Sequence, residues 1–333
     1  MESGQESERL YIGIDLGGTN IKVGLVAPSG QVRAIVSVVT GRGPEAVISN
    51  MVAAVHGVLK KAQKTLADVT AVGIASPGPF SRKQGVVMCG ANLPGWENIP
   101  LRDRISIELG KPAILENDAR SAAFGEYWGG SGRQAGVRDF LMITLGTGVG
   151  GGFVYDGRIV NGAHDLAGEI GHTIVVPDGE PCGCGQKGCL EVYTAASRLG
   201  RRARLMIREH GRRNSTLRTV LEREGMITAR DIEQEARSGD TLALEIWDDM
   251  CRMLALACVN ATHWLDPKMI VLAGGLSGAG DFLVEPVKRY FSEQYWHMSA
   301  PEVEIRIAEL GNAAGVVGAA MLAMQSNLET DPK

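Results

Sequence analysis

Three cysteines fall within eight residues, Cys182, Cys184 and Cys189, and His172 stands ten residues upstream of the first. Four soft or borderline ligands are what a tetrahedral zinc site requires, and with no coordination position left open the metal is structural and activates no water. Gly183, Gly185 and Gly188 allow the backbone positive φ, so a tight knuckle can aim three thiolates at one point. Between the histidine and the knuckle, Thr173 to Val176 reads as a short strand. Glu169 lies three residues before His172 and Glu191 two after Cys189, so one ion would fix two carboxylates. A histidine bound through one ring nitrogen keeps an N–H on the other. Two acceptors and a donor held together suit a ligand rich in hydroxyl groups. The rival account is three reduced cysteines in a turn beside two solvated glutamates, but buried lone thiols rarely cluster among glycines.

A second chemistry lies in the glycine-rich turns. Tyr11 to Leu16 reads as a strand, Gly17-Gly18-Thr19-Asn20 as a turn, Ile21 to Val26 as a second strand, and Gln31 to Val39 as a third. A strand-turn-strand order excludes the dinucleotide fingerprint and the P-loop, each of which needs a helix after its glycines. Such a hairpin can still offer backbone N–H groups to phosphate oxygens, with Asp15 placed for a phosphate-bound magnesium. Taken alone, such a turn is more often just a tight hairpin. Phe140 to Tyr155 repeats the pattern: Ile143-Thr144-Leu145-Gly146-Thr147-Gly148 matches Ile14-Asp15-Leu16-Gly17-Gly18-Thr19, which points to a duplicated domain gripping a polyphosphate from two sides.

The remaining elements position these groups. Pro44 to Lys64 carries apolar residues at helical spacing and ends in lysines. Val69 to Ala75 is a buried strand leading into the rigid turn Ser76-Pro77-Gly78-Pro79, and Asn92-Leu93-Pro94-Gly95-Trp96 is a loop. Glu116-Asn117-Asp118 closes the strand Pro112 to Leu115 and opens the helix Ala119 to Trp128. Asp118 then sits at or near an N-cap, where the helix dipole favours the carboxylate, the form a general base for a hydroxyl needs. Capping explains the same residue equally well from this segment alone. Thr194 to Trp264 is mostly helical, with seven arginines from Arg198 to Arg213 that read as a solvated face. Met269 to Ala273 is a strand ending in Gly274-Gly275, where a nucleoside can lie against backbone, Glu302 to Leu310 is the last strand, and Ala313 to Met324 is a helix that can pack back on the first half.

Composition bounds the rest. The 333 residues are enough for two domains, and 44% hydrophobic with 22% charged is ordinary for a globular protein. A net charge of −4 argues against a nucleic-acid surface, and no apolar run has the length of a membrane span. With no signal-peptide core in the first ten residues, the expected compartment is the cytoplasm. Cys89, Cys251 and Cys258 stand apart in apolar surroundings and read as reduced core residues.

Together these segments resemble the ROK (repressor, ORF, kinase) family of sugar kinases over essentially the whole chain. Cys-Gly-Cys-Gly-Gln-Lys-Gly-Cys-Leu-Glu at 182 to 191 is similar to that family's zinc signature, and Asp15 to Asn20 and Leu145 to Gly152 to its phosphate hairpins. The resemblance implies an α/β, duplicated ribonuclease H-like fold of the actin and hexokinase type, two domains with a cleft between them that closes on the sugar. The expected division is a small domain of residues 1–118 with 312–333 and a large domain of 119–311. The implied activity is ATP-dependent phosphorylation of glucose at its 6-hydroxyl, with Asp118 as general base. Gly78, Asn92, Asn117, Glu169, His172 and Glu191 are the implied sugar partners. Asp15, Gly17, Gly18, Thr19, Asn20, Lys22, Gly146, Thr147, Gly148, Gly274 and Gly275 are implied for ATP and its Mg²⁺, and His172, Cys182, Cys184 and Cys189 for structural Zn²⁺. The family also implies a homodimer or homotetramer, and it contains kinases of other hexoses and N-acetylhexosamines. Its sugar-responsive repressors carry a winged helix ahead of the first strand, where only ten residues stand here.

Overall fold

The computed structural model describes residues 9–90, 93–209, 215–296 and 302–330. An antiparallel meander opens the chain: β1 (Leu10–Leu16), β2 (Asn20–Val26) and β3 (Val32–Val39). Helix α1 (Pro44–Lys61) has a proline in its first turn and Lys60 and Lys61 in its last, and it buries Val47, Met51, Val55, Val58 and Leu59 along one face. Then come β4 (Val69–Ser76), a small sheet of β5 (Phe80–Ser81), β6 (Val86–Cys89) and β7 (Glu97–Ile99), helix α2 (Leu101–Leu109), β8 (Ala113–Asn117) and helix α3 (Asp118–Gly129). The first large sheet runs β3-β2-β1-β4-β8, with β4 parallel to both β1 and β8.

After the short α4 (Ser131–Gln134) the plan recurs. Strands β9 (Phe140–Leu145), β10 (Val149–Tyr155) and β11 (Arg158–Ile159) lead into the cysteine knuckle. Five helices follow: α5 (Leu190–Thr194), α6 (Ala196–Glu209), α7 (Thr216–Glu224), α8 (Ala229–Arg237) and α9 (Thr241–Leu265). The chain continues through β12 (Met269–Ala273), α10 (Asp281–Gln294), β13 (Glu304–Ile307) and α11 (Ala314–Thr330). The second sheet has the order β11-β10-β9-β12-β13, the order of the first with each strand replaced by its counterpart. The repeated hairpin motif is thus one corner of a repeated sheet.

The chain divides into two compact units, residues 1–138 with 152–167 and 309–333, and residues 139–151 with 168–308. The break falls after Arg138 and not after Asp118, because α3 packs on α11 inside the first unit. Helix α11 lies close on β1 and β4: a Cβ at Gly13 or Gly73 would stand 1.9 or 1.8 Å from the carbonyl of Val316 or Ala319. Small residues on both surfaces are therefore the condition for that packing.

Four expectations are corrected. Thr173 to Val176 is not a strand; its pairing is one isolated bridge, Ile174 to Cys189. The last strand is confined to Glu304–Ile307. Cys89 is exposed, whereas Cys251 and Cys258 are buried on α9, where burial pushes both thiols up to about 12 and keeps them protonated. Arg202, on the arginine-rich helix, pairs with Asp249 of α9, while residues 210–213 lie outside the described residues. Among the described residues no helix is long and apolar enough to cross a membrane.

Candidate functional site

In the first unit the polar groups gather at the carboxyl ends of parallel strands, where open α/β sheets bind ligands. Asp15 of β1 is in register with Ala75 of β4, and Ala75 with Glu116 of β8, so the next residues along, Ser76 and Asn117, end their strands side by side. Asn117 is the N-cap of α3, its Oδ1 accepting the Arg120 N–H at 3.1 Å, and Asp118 is the first helical residue. Asp118 Oδ1 accepts the N–H of Ala119 at 2.8 Å. The helix start does favour ionisation, through the backbone N–H groups and the Arg120 charge, but burial acts the other way and outweighs them, so the pKa is raised. The carboxylate is held as a stronger base than one in water.

Asp15 is pushed up from 3.8 to about 6, first by burial and then by Asp118, against the lowering pull of Lys22. Lys22 is its cross-strand partner on β2 and donates to the carbonyl and Oδ1 of Asn312 at 3.5 and 3.4 Å. The turn between these strands is closed by Gly17 N–H donating to the Asn20 carbonyl at 3.0 Å, and Gly18, Thr19 and Asn20 are exposed. Gly78 has φ 85, and a side chain there would meet the Cys89 carbonyl at 2.5 Å, so its glycine is explained by packing. Asn92 lies outside the described residues. Trp96 from the same loop is buried.

In the second unit the four expected ligands come together. His172 Nδ1 stands 3.8 Å from Cys182 Sγ, Cys184 Sγ stands 3.7 Å from Cys189 Sγ, and all four ligand atoms lie within 4.8 Å of one another. A tetrahedral ion about 2.3 Å from each sulfur requires sulfurs just under 4 Å apart, so three thiolates and an imidazole fit zinc in number, chemistry and spacing. The knuckle is a small bridge of Pro181 to Lys187 with Cys182 N–H donating to the Gln186 carbonyl at 2.8 Å. Gly185 and Gly188 have φ 94 and 74, whereas Gly183 is not among the positive-φ glycines.

Glu169 begins the one-turn helix Ile170–His172, its carbonyl accepting the His172 N–H at 3.0 Å. Glu191, on α5, turns toward the second hairpin: its Oε2 accepts the Val149 N–H at 3.0 Å, and Oε1 is 4.0 Å from Cys182 Sγ. That link was not foreseen, although a Cβ at Gly148 would lie 2.6 Å from the same carboxylate oxygen. The hairpin turn is closed by Gly146 N–H donating to the Gly148 carbonyl at 3.0 Å. The N–H groups of Gly18, Thr19, Thr147 and Gly148 make no hydrogen bond among the described residues, as a phosphate-binding turn requires. Gly274, at φ 87, packs on the Leu145 carbonyl, and Gly275 has open space on its side-chain face.

The sequence reading also passed over Glu116 and Arg120, a fully buried ion pair at 2.8 Å directly beneath Asn117 and Asp118. Its available signal was a glutamate and an arginine four apart in a segment otherwise rich in buried residues.

Known proteins bear on both units. The chain matches the ROK family over residues 11–326. A glucokinase of Halalkalibacterium halodurans is 38% identical over 322 residues, 96% of this chain and 96% of that protein. An N-acetyl-D-glucosamine kinase of Photobacterium profundum is 32% identical over 94% of this chain and 99% of its own. Among solved structures, a ROK family glucokinase from Streptomyces griseus in complex with glucose and AMPPNP has 33% identity and a TM-score of 0.78, covering 95% of this chain and 99% of its own. The duplicated sheets are those of the actin- and hexokinase-like fold. The chain belongs to the ROK family, alongside its sugar kinases.

Proposed function

We propose that this sugar kinase transfers the γ-phosphoryl group of ATP to the 6-hydroxyl of glucose, with Asp118 taking the hydroxyl proton as the bond to phosphorus forms. The observation that carries this reading is the half-buried Asp118 carboxylate on the first turn of α3, its proton affinity raised by desolvation. Asn117, Glu169, His172 and Glu191 are the sugar's hydrogen-bond partners, and Gly78 and Asn92 are assigned to the sugar with them. The unbonded N–H groups of the two glycine turns meet the phosphates, Lys22 adds positive charge and Asp15 meets the cation that arrives with ATP. Gly274 and Gly275 lie against the nucleoside. Magnesium on ATP supplies charge neutralisation during transfer.

His172, Cys182, Cys184 and Cys189 hold a structural zinc ion, for which their spacing is the support. With Nδ1 toward the sulfurs, His172 keeps Nε2 for a sugar hydroxyl. The S. griseus relative, crystallised with glucose and AMPPNP, supports the substrate pair. The same reading takes the protein as a cytoplasmic homodimer or homotetramer, which light scattering tests. The likeness to an N-acetyl-D-glucosamine kinase favours one alternative, an N-acetylhexosamine as acceptor. An ADP-release assay across hexoses and N-acetylhexosamines separates the two: glucose should give the highest kcat/KM, and preference for an N-acetyl sugar would overturn the assignment.

A further inference from the structure

Arg120 and Glu116 are each 1% exposed, and Arg120 Nε donates to Glu116 Oε1 at 2.8 Å. The same Oε1 accepts the N–H of Asn117 at 2.8 Å, which fixes the backbone one residue before Asp118. Arg120 Nη1 donates to the carbonyls of Asp165 and Ala167, both at 2.9 Å. Ala167 is two residues before Glu169 in the chain. Asp165 takes left-handed backbone at φ 58, and its carboxylate accepts the Arg82 N–H at 3.0 Å. Asn161, in the amide orientation that satisfies both neighbours, donates to Glu116 Oε2 at 2.8 Å and accepts from Arg82 Nη1 at 2.7 Å. One guanidinium thus ties the turn that carries Asp118 to the strap, residues 161–167, that leads into Glu169.

Stability alone explains this poorly. Apolar side chains of similar volume commonly replace a buried ion pair with no loss of stability. Arg120 Nη2, moreover, is buried with no hydrogen-bond partner among the described residues, so the pair is not the one that stability would favour.

We propose that Arg120 is a positioning residue for phosphoryl transfer: through Glu116 it holds the backbone at Asn117 and Asp118, and through two carbonyls it holds the strap ahead of Glu169. The inference rests on the assignment of Asp118 and Glu169 to the sugar. Arg120→Lys keeps the charge but loses the planar fork that reaches both carbonyls. With glucose and ATP varied separately, kcat/KM for glucose should fall about 100-fold in that variant while KM for ATP stays within two-fold. A purely structural pair would lower the melting temperature and the active fraction but leave the glucose KM of the folded enzyme unchanged. Where Arg120→Lys fails to fold, Glu116→Gln/Arg120→Met removes the charges together and gives the same readout. Glucose KM and kcat within two-fold of the parent in either folded variant would overturn the proposal. The parent enzyme's own turnover is measured in parallel, and if it favours another sugar the variants are assayed on that sugar, so the two failures stay distinct.

Discussion

The turn after β1 and the turn after β9 close equivalent strands, yet two residues before the glycine the first places Asp15 and the second Thr144. Asp15 keeps a half-buried carboxyl with a pKa near 6 beside Lys22. Thr144 instead turns its hydroxyl inward, Oγ1 accepting the Gly150 N–H at 3.1 Å. The second hairpin takes its carboxylate from outside the sheet: Glu191, two residues past Cys189, accepts the Val149 N–H. Duplication therefore supplies the backbone of both glycine turns. The charge is intrinsic to the first sheet and brought to the second by the knuckle.

On that division, the largest effect belongs to the first unit. Asp118→Asn removes the base and keeps the shape, so kcat should fall by on the order of 10³-fold or more while glucose affinity stays within a few-fold, as stopped-turnover assays and calorimetry would measure. A variant keeping a tenth of the rate would break the assignment. Cys184→Ser should act on the second unit, lowering zinc content and weakening glucose binding roughly 10- to 100-fold together. Normal sugar affinity in a zinc-free sample would contradict the link between knuckle and sugar.

The hairpins themselves separate next. Gly148→Ala puts a methyl within 2.6 Å of Glu191 Oε2, so KM should rise roughly ten-fold for both ATP and glucose. Gly17→Ala meets only the Asn20 carbonyl, at 2.8 Å, and should raise KM for ATP alone.

The smallest effect is on stability. Asp15 binds its proton more tightly folded, near pH 6, than unfolded, near 3.8, so stability falls as pH rises through that window, by up to roughly 3 kcal/mol above it. Asp15→Asn should raise the melting temperature by roughly 5 °C at pH 8 and progressively less toward pH 4, while activity is lost. Thr144→Val should show no such pH dependence.

Much of this was legible in the sequence for a physical reason. Strand-turn-strand patterns and cysteine spacing are local, so the repeated sheet corner and the cluster of His172 with Cys182, Cys184 and Cys189 could be found from residue order. Thr173 to Val176 misled because a run of β-branched residues looks like a strand even where the knuckle offers a single bridging partner. Asp118 misled only in its proton affinity, since capping is a local property and burial depends on packing distant in sequence. Glu116 and Arg120 stayed hidden for the same reason: two of the guanidinium's partners lie more than forty residues away. The break after Arg138 likewise depends on α11, nearly two hundred residues beyond it.

The central claim is that the metal-held carboxylates and imidazole bind the sugar while Asp118 performs the chemistry. Calorimetric titration of glucose into Asp118→Asn and into zinc-stripped parent enzyme tests it in one comparison. The account predicts near-parental affinity in the first and at least ten-fold weaker binding in the second. Weak binding to Asp118→Asn alongside full affinity in the zinc-stripped enzyme would contradict it.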